Sequence, residues 1–299
     1  VQTNFLDLAR RGKNEWWRYV LSTALILFFW LVGSAVLAVF LLAVSLLGEG
    51  VRPDIDPNTG QMAGVDPLLL VTVLLLSFLP LLVGLLLAVR FIHDRPLTSL
   101  ITPLARIDWK RMCVGFLAFG VLVAVGCVVE SFLYPGRYKF TFDLLGTLKF
   151  TPVVLILIPF QAAAEELLVR GYMMQGIGLL TRRAWIPVVV SSLVFTLLHV
   201  SNPEAQVDTL VSLGSYLAAA LLFALVTLKD NRLELAIGMH IANNVFVLAV
   251  NNTVSALPVP SVFTVTTLDA GYSLISTIVM GVIFYAVFFS HNKKETEQI

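Results

Sequence analysis

Long unbroken apolar stretches, separated by short polar segments, run the length of the chain. A helix needs about 20 apolar residues to cross a hydrocarbon core of roughly 30 Å. Eight stretches are candidates: Val20–Leu47, Pro67–Val89, Cys113–Leu133, Phe150–Leu180, Ala184–Val200, Thr209–Leu228, Leu235–Asn251 and Ala270–Ser290. They are continuous rather than alternating, which argues for helices and against barrel strands. Pro80 is expected to kink the second run. The fourth run is longer than a bilayer requires. The first is too long for the apolar part of a cleaved signal and reads as a permanent span. No repeat, low-complexity tract or separate soluble domain is visible.

Composition strengthens this reading. Of 299 residues, 58% are hydrophobic and 13% charged, and the mean hydropathy is +0.89. Soluble domains carry about 25% charged residues, so a soluble enzyme and a disordered chain are both excluded. The expected fold is all-α, a polytopic membrane protein of about eight transmembrane helices. A net charge of +1 gives no reason to expect nucleic acid. Cys113 and Cys127 lie fourteen residues apart in one run, about 21 Å along a helix, too far for a disulfide. They read as packing residues.

Basic residues set the expected orientation. With the N-terminus in the cytoplasm and eight crossings, 15 Lys and Arg fall on inner segments and 4 on outer ones, the bias expected of a membrane protein. Both termini are then cytoplasmic. Residues 5–18 and 91–112 mix apolar side chains with Arg, Lys and Trp, and read as amphipathic helices lying on the inner leaflet. The outer loop Asp54–Gly60 has a faint calcium-loop spacing, but its Gly is one place late and no Glu follows, so a turn is the better reading. The domain reading is an N-terminal membrane region, 1–149, with three spans and the interfacial helices, and a core, 150–299, with five, in one integral unit.

Several polar residues sit where lipid would penalise them. Glu165 and Glu166 fall inside the fourth run, His199 at the end of the fifth, and His240 with Asn244 inside the seventh. Charged groups at mid-membrane cost on the order of several kcal/mol and persist when paired or facing a wet cavity. Glu166 and Arg170 are four apart in the favourable order for an ion pair, which is in itself a structural arrangement. Glu165 is then left without a local cationic partner. Carboxyl groups unpaired in a low-dielectric setting hold their protons more tightly, the property a general base working near neutral pH needs. His240 and Asn244, also four apart, put two hydrogen-bonding side chains on one helix face, suited to a developing oxyanion. Glu165 lies 17 residues before Arg182 and His199 17 after it, so a hairpin there brings them to one level. His240 joins them if the long fourth helix projects from the inner face.

These residues carry a resemblance. Glu165-Glu166-x-x-x-Arg170, Phe195-x-x-x-His199 and His240-x-x-x-Asn244 resemble the ordered motifs EExxxR, FxxxH and HxxxN of the CPBP intramembrane proteases, which include CAAX prenyl endopeptidases and bacteriocin-processing homologues. The resemblance covers about Phe150–Leu248 and leaves the first three spans without a signature. It implies an intramembrane endopeptidase in which Glu165 activates a water, His199 helps to position it, and His240 with Asn244 forms the oxyanion hole. Glu166 and Arg170 take supporting positions. No HExxH is present. The family is described both as metalloprotease and as metal-independent glutamate protease. The cofactor is therefore either none or one divalent ion such as zinc, on Glu165, His199 and His240 with an open water position.

The implied substrate is a membrane-associated peptide or protein, lipidated ones included, and lipid itself is a partner. The expected location is a prokaryotic plasma membrane. Two rivals stand beside this reading. One is a non-catalytic immunity or scaffold protein keeping the motifs for structure. The other is a proton-coupled carrier, which calls for inverted repeats and broken helices in both halves; the sequence has neither, since the unusual polar residues all lie in its C-terminal half.

Overall fold

A computed structural model describes residues 4–47, 54–55 and 62–290 of the chain. The loop 54–60 lies outside the described residues except for a two-residue strand at its start, and so do Arg52, Lys293 and Lys294. The protein is all-α, with helices α1 (Trp16–Leu47), α2 (Pro67–Leu76), α3 (Phe78–Leu87), α4 (Trp109–Leu133), α5 (Leu144–Glu166), α6 (Gln175–Gly178), α7 (Trp185–Leu198), α8 (Thr209–Asp230), α9 (Glu234–Val245) and α10 (Ala270–Phe289). A π-helical stretch, Leu167–Met174, joins α5 to α6 without a break. The expected kink of the second run is the interruption at Ser77 between α2 and α3, one turn ahead of Pro80, whose missing N–H weakens the helix behind it.

Among the described residues six helices are long and apolar enough to cross a membrane: Trp16–Leu47, Pro67–Ile92, Trp109–Leu133, Leu144–Gly178, Thr209–Asp230 and Ala270–Phe289. The expectation of eight is corrected. The fifth and seventh runs form only α7, of 14 residues, and α9, of 12, which rise about 21 and 18 Å at about 1.5 Å per residue. Both stop at polar site residues. His199 caps α7, and α9 ends one residue past Asn244. The chain then continues as a 3₁₀ turn at Pro203–Gln206 in one case, and through Phe246–Leu248 into a strand in the other. Non-helical backbone at this depth is tolerated where protein or a water-lined cavity satisfies it.

The second correction concerns the interfacial segments. Phe5–Arg11 is a 3₁₀ turn whose Phe5, Leu8 and Ala9 are fully buried, and Leu97–Leu100 is another whose Leu100 is buried. Between Leu100 and Trp109 the chain is irregular. Gly12, Pro96 and Pro103 break both segments before an amphipathic helix can form. Phe5, Leu6, Leu8 and Leu100 insert into the protein, while Trp16, Phe91, Leu104 and Trp109 stay exposed. The Phe5 N–H donates to Asn231 Oδ1 at 2.6 Å, and the Leu233 N–H to Ile101 O at 2.8 Å.

Helix directions follow from the ends. Asp230, closing α8, pairs with Arg111 at the start of α4 at 2.5 Å. Arg137, just past the end of α4, pairs with Asp269 at the start of α10 at 3.2 Å. Thus α8 and α10 run antiparallel to α4. Asp66, Asp108, Asp143, Asp208 and Asp269 each cap a helix by accepting backbone N–H bonds, which uses many of the acidic side chains at span edges. At the end opposite Asp230, β1 (Tyr138–Phe140) pairs antiparallel with β3 (Phe263–Val265), which pairs parallel with β2 (Val250–Asn252). Cys113 and Cys127 are free thiols, and Cys113 is exposed rather than packed.

Small residues position the helix that carries the third motif. A Cβ at Gly238 of α9 would overlap the Met112 carbonyl oxygen, and one at Gly115 of α4 would overlap that of Leu235. Close backbone approach of this kind replaces the hydrophobic drive that is missing between helices in lipid.

Candidate active site

The site assembles where α5, α7, α8 and α9 meet. Glu165 and Glu166 are the last two residues of α5, and Arg170 lies in the π-helical stretch. Glu166 and Arg170 are fully buried. Glu166 Oε1 accepts from Arg170 Nη1 at 2.8 Å and lies 2.9 Å from His240 Nδ1. Arg170 Nη2 donates to Ala220 O in α8 at 2.9 Å. The guanidinium carbon sits 4.8 Å from the Phe195 ring centre and 5.7 Å from that of Phe223, so aromatic faces share its charge. The expected Glu166–Arg170 pair is formed, but Glu166 is shared: it also fixes the His240 ring.

That contact settles which His240 nitrogen faces outward. An ionised carboxylate only accepts, so Nδ1 carries a hydrogen toward Glu166. Nε2 then lies 3.5 Å from Glu165 Oε2, beyond a direct hydrogen bond. Glu165 Oε2 is buried and bonded to nothing among the described residues. Glu165 Oε1 accepts from Gln161 Nε2 at 2.7 Å.

His240 and Asn244 stand on α9. Asn244 Nδ2 donates to Gln161 Oε1 at 2.9 Å, and Asn244 Oδ1 accepts from Asn243 Nδ2 at 3.0 Å. Gln161 therefore joins the first motif to the third. Gln161 lies outside all three motifs, and its one signal in the sequence is a place one turn ahead of Glu165. His199 is set apart. Its Nδ1 lies 2.8 Å from Phe195 O; a carbonyl oxygen only accepts, so the neutral ring has its lone pair on Nε2. The ring packs against Phe195 at 4.3 Å and Tyr216 at 4.7 Å between centres. Phe195 also lies 6.1 Å from the His240 ring, so the two histidines share one aromatic cluster without a hydrogen bond between them.

Glu165, His199 and His240 do not form a three-ligand metal set. Among the described residues no three His, Cys, Asp or Glu side chains group closely enough to hold a metal ion. Glu166 takes Nδ1 of His240, and His199 stands across the Phe195 ring.

Comparison with known proteins agrees in part with this geometry. Residues 147–246 match the family model of the Type II CAAX prenyl endopeptidase Rce1-like proteins. A CAAX-protease-family domain thus covers part of the chain, consistent with the broader CAAX and CPBP protease superfamily, and the matched residues include all three motifs. The chain is also similar to "Uncharacterized protein YyaK" of Bacillus subtilis (strain 168), 29% identical over 287 residues, covering 95% of this chain and 94% of that one. No solved structure matches it.

Proposed function

We propose that this protein is an intramembrane endopeptidase that hydrolyses a peptide bond by direct attack of water. The observation that carries the reading is the approach of Glu165 Oε2 and His240 Nε2 to 3.5 Å, beside the Asn244 amide tied to the same helix as Glu165 through Gln161. Glu165 takes a proton from the water as its oxygen bonds to the scissile carbonyl carbon. The carbonyl π electrons move to oxygen, and that oxyanion is stabilised by Asn244 Nδ2 and the His240 ring beside it. The tetrahedral species collapses, the C–N bond breaks, and Glu165 returns its proton to the leaving amine. His199 is assigned a second contact to the water through Nε2. Glu166 and Arg170 support His240. No step runs through a metal.

The catalytic unit is residues 150–299, with 1–149 an N-terminal membrane region. The substrate is a membrane-associated peptide or protein, lipidated ones included. The gathering of Arg11, Arg18, Arg95, Arg111 and Arg232 at one end, through contacts such as Arg11 to Pro103 O and Arg111 to Asp230, supports a cytoplasmic placement of that end and of both termini. The Bacillus subtilis relative supports a prokaryotic plasma membrane.

The test is cleavage of a broad panel of membrane peptides, plain and prenylated, by purified wild type and Glu165→Gln. Products from wild type alone, at equal thermal stability, support the enzyme. Failure of both proteins across the panel would instead favour a non-catalytic scaffold that keeps the motifs for packing.

A further inference from the structure

Three amides and a carboxylate form one chain of hydrogen bonds across the site. Asn243 Nδ2 donates to Asn244 Oδ1 at 3.0 Å, Asn244 Nδ2 to Gln161 Oε1 at 2.9 Å, and Gln161 Nε2 to Glu165 Oε1 at 2.7 Å. Its polarity follows from its end. The Glu165 carboxylate only accepts, so Gln161 must turn its NH₂ toward it. The Gln161 carbonyl then faces Asn244, which must turn its own NH₂ to meet it. One Asn244 N–H is spent on Gln161 and the other is left for a ligand. Gln161 is buried and lies one turn before Glu165, so the side chain is held from both ends.

We propose that Gln161 is a positioning residue. It fixes the Asn244 amide relative to the Glu165 carboxylate, so that the oxyanion donor and the general base share one frame. The inference rests on the endopeptidase reading. It follows that Glu165 Oε1, as an acceptor, dictates the orientation of Asn244, two side chains away on another helix. That acceptor selects the arrangement in which Asn244 presents an N–H rather than an oxygen to the reacting carbonyl. Losing this constraint costs alignment rather than binding, and misplacements of about 1 Å lower rates on the order of 10²-fold.

The experiment uses the full chain in detergent or nanodiscs, with a membrane peptide that wild type cleaves. Gln161→Leu is expected to lower kcat about 10- to 100-fold with KM within about twofold and thermal stability unchanged. Gln161→Glu, which keeps the acceptor for Asn244 but sets a second carboxylate against Glu165, is expected not to rescue. In a double-mutant cycle with Asn244→Ala, the double variant should lose no more than Asn244→Ala alone, because Gln161 acts through Asn244. Wild-type kcat in Gln161→Leu, or losses that multiply in the double variant, would overturn the proposal while leaving the activity standing. Absence of cleavage by wild type strikes the endopeptidase reading instead. In that case the Asn244 side-chain amide signals, assigned in ¹⁵N NMR by their loss in Asn244→Asp, still decide: they should shift in Gln161→Leu, and unshifted signals contradict the proposal.

Discussion

His240 Nε2 lies 3.5 Å from Glu165 Oε2, and the other nitrogen of the same ring is held by Glu166 at 2.9 Å. One imidazole thus separates two adjacent carboxylates that end the same helix. One carboxylate is enclosed, saturated on Oε1 by Arg170 and His240. The other is half-buried; each carboxylate keeps its Oε2 unbonded among the described residues, and that of Glu165 lies beside His240 Nε2. Two neighbouring residues of one type receive separate tasks from their surroundings.

Removing Glu166 should therefore damage the fold before the chemistry. Glu166→Gln leaves Arg170 buried without its counter-charge, and breaking such a pair costs about 3–5 kcal/mol. The expected result is a large fall in thermal midpoint. Adding Arg170→Met should recover much of the stability and little of the activity, because His240 then faces a neutral amide in place of a carboxylate. Full recovery of cleavage in the double variant would contradict the assigned role of Glu166.

The tight seam between α4 and α9 gives a paired expectation. Gly238→Val drives a side chain into the Met112 carbonyl and should lower stability by about 1–3 kcal/mol, the usual cost of overpacking, and cut activity by moving His240. In the same seam a Cβ at Gly120 meets Ala242 Cβ at an ordinary 3.8 Å, so Gly120→Ala should be tolerated. Thermal melts and cleavage rates of the two variants measure the contrast.

His199 is held by ring packing, which Tyr216→Phe preserves and Tyr216→Leu removes. Aromatic pairs contribute about 0.5–1.5 kcal/mol. If that packing sets the ring for catalysis, Tyr216→Leu should lower kcat roughly 2- to 10-fold, and Tyr216→Phe should stay near wild type. Equal rates in all three proteins would remove His199 positioning from the mechanism.

Acid should loosen the end of the molecule that holds the basic residues. His93 lies 2.8 Å from Lys13 O through Nδ1 and 3.0 Å from the Tyr172 hydroxyl through Nε2. Burial first, and then the Arg95 and Arg18 charges, hold it below the ordinary histidine value of 6.5. The unfolded chain takes up the proton first as pH falls, so this contribution is complete above about pH 6.5 and is lost progressively below it. Thermal midpoints measured between pH 8 and pH 5 should fall more steeply for wild type than for His93→Gln. Parallel curves would refute the linkage.

The apolar runs revealed six spans because length and hydropathy report directly on burial in lipid. They overcounted at Ala184–Val200 and Leu235–Asn251, where hydropathy continues past His199 and Asn244 but the helices do not. Residues 246–250 are apolar and half-buried, with Val247 and Leu248 packed against protein, a setting hydropathy cannot tell from lipid. The same ambiguity produced the interfacial reading of Phe5, Leu8 and Leu100. The π-helical stretch left no trace, because hydrogen-bond register is not written in polarity. Charged and histidine side chains inside apolar runs were legible from their cost. Gln161 was not, since an uncharged amide in a helix carries a smaller penalty and no motif includes it.

The central claim is that water activated at Glu165 attacks the peptide bond directly. Cleavage of a membrane peptide in H₂¹⁸O containing hydroxylamine, read by mass spectrometry, tests it. The expected product from wild type is a new C-terminal carboxyl with one ¹⁸O and no hydroxamate, and Glu165→Gln should form it at least about 10²-fold more slowly, as loss of a general base requires. A hydroxamate product, or an undiminished rate in Glu165→Gln, would contradict the mechanism.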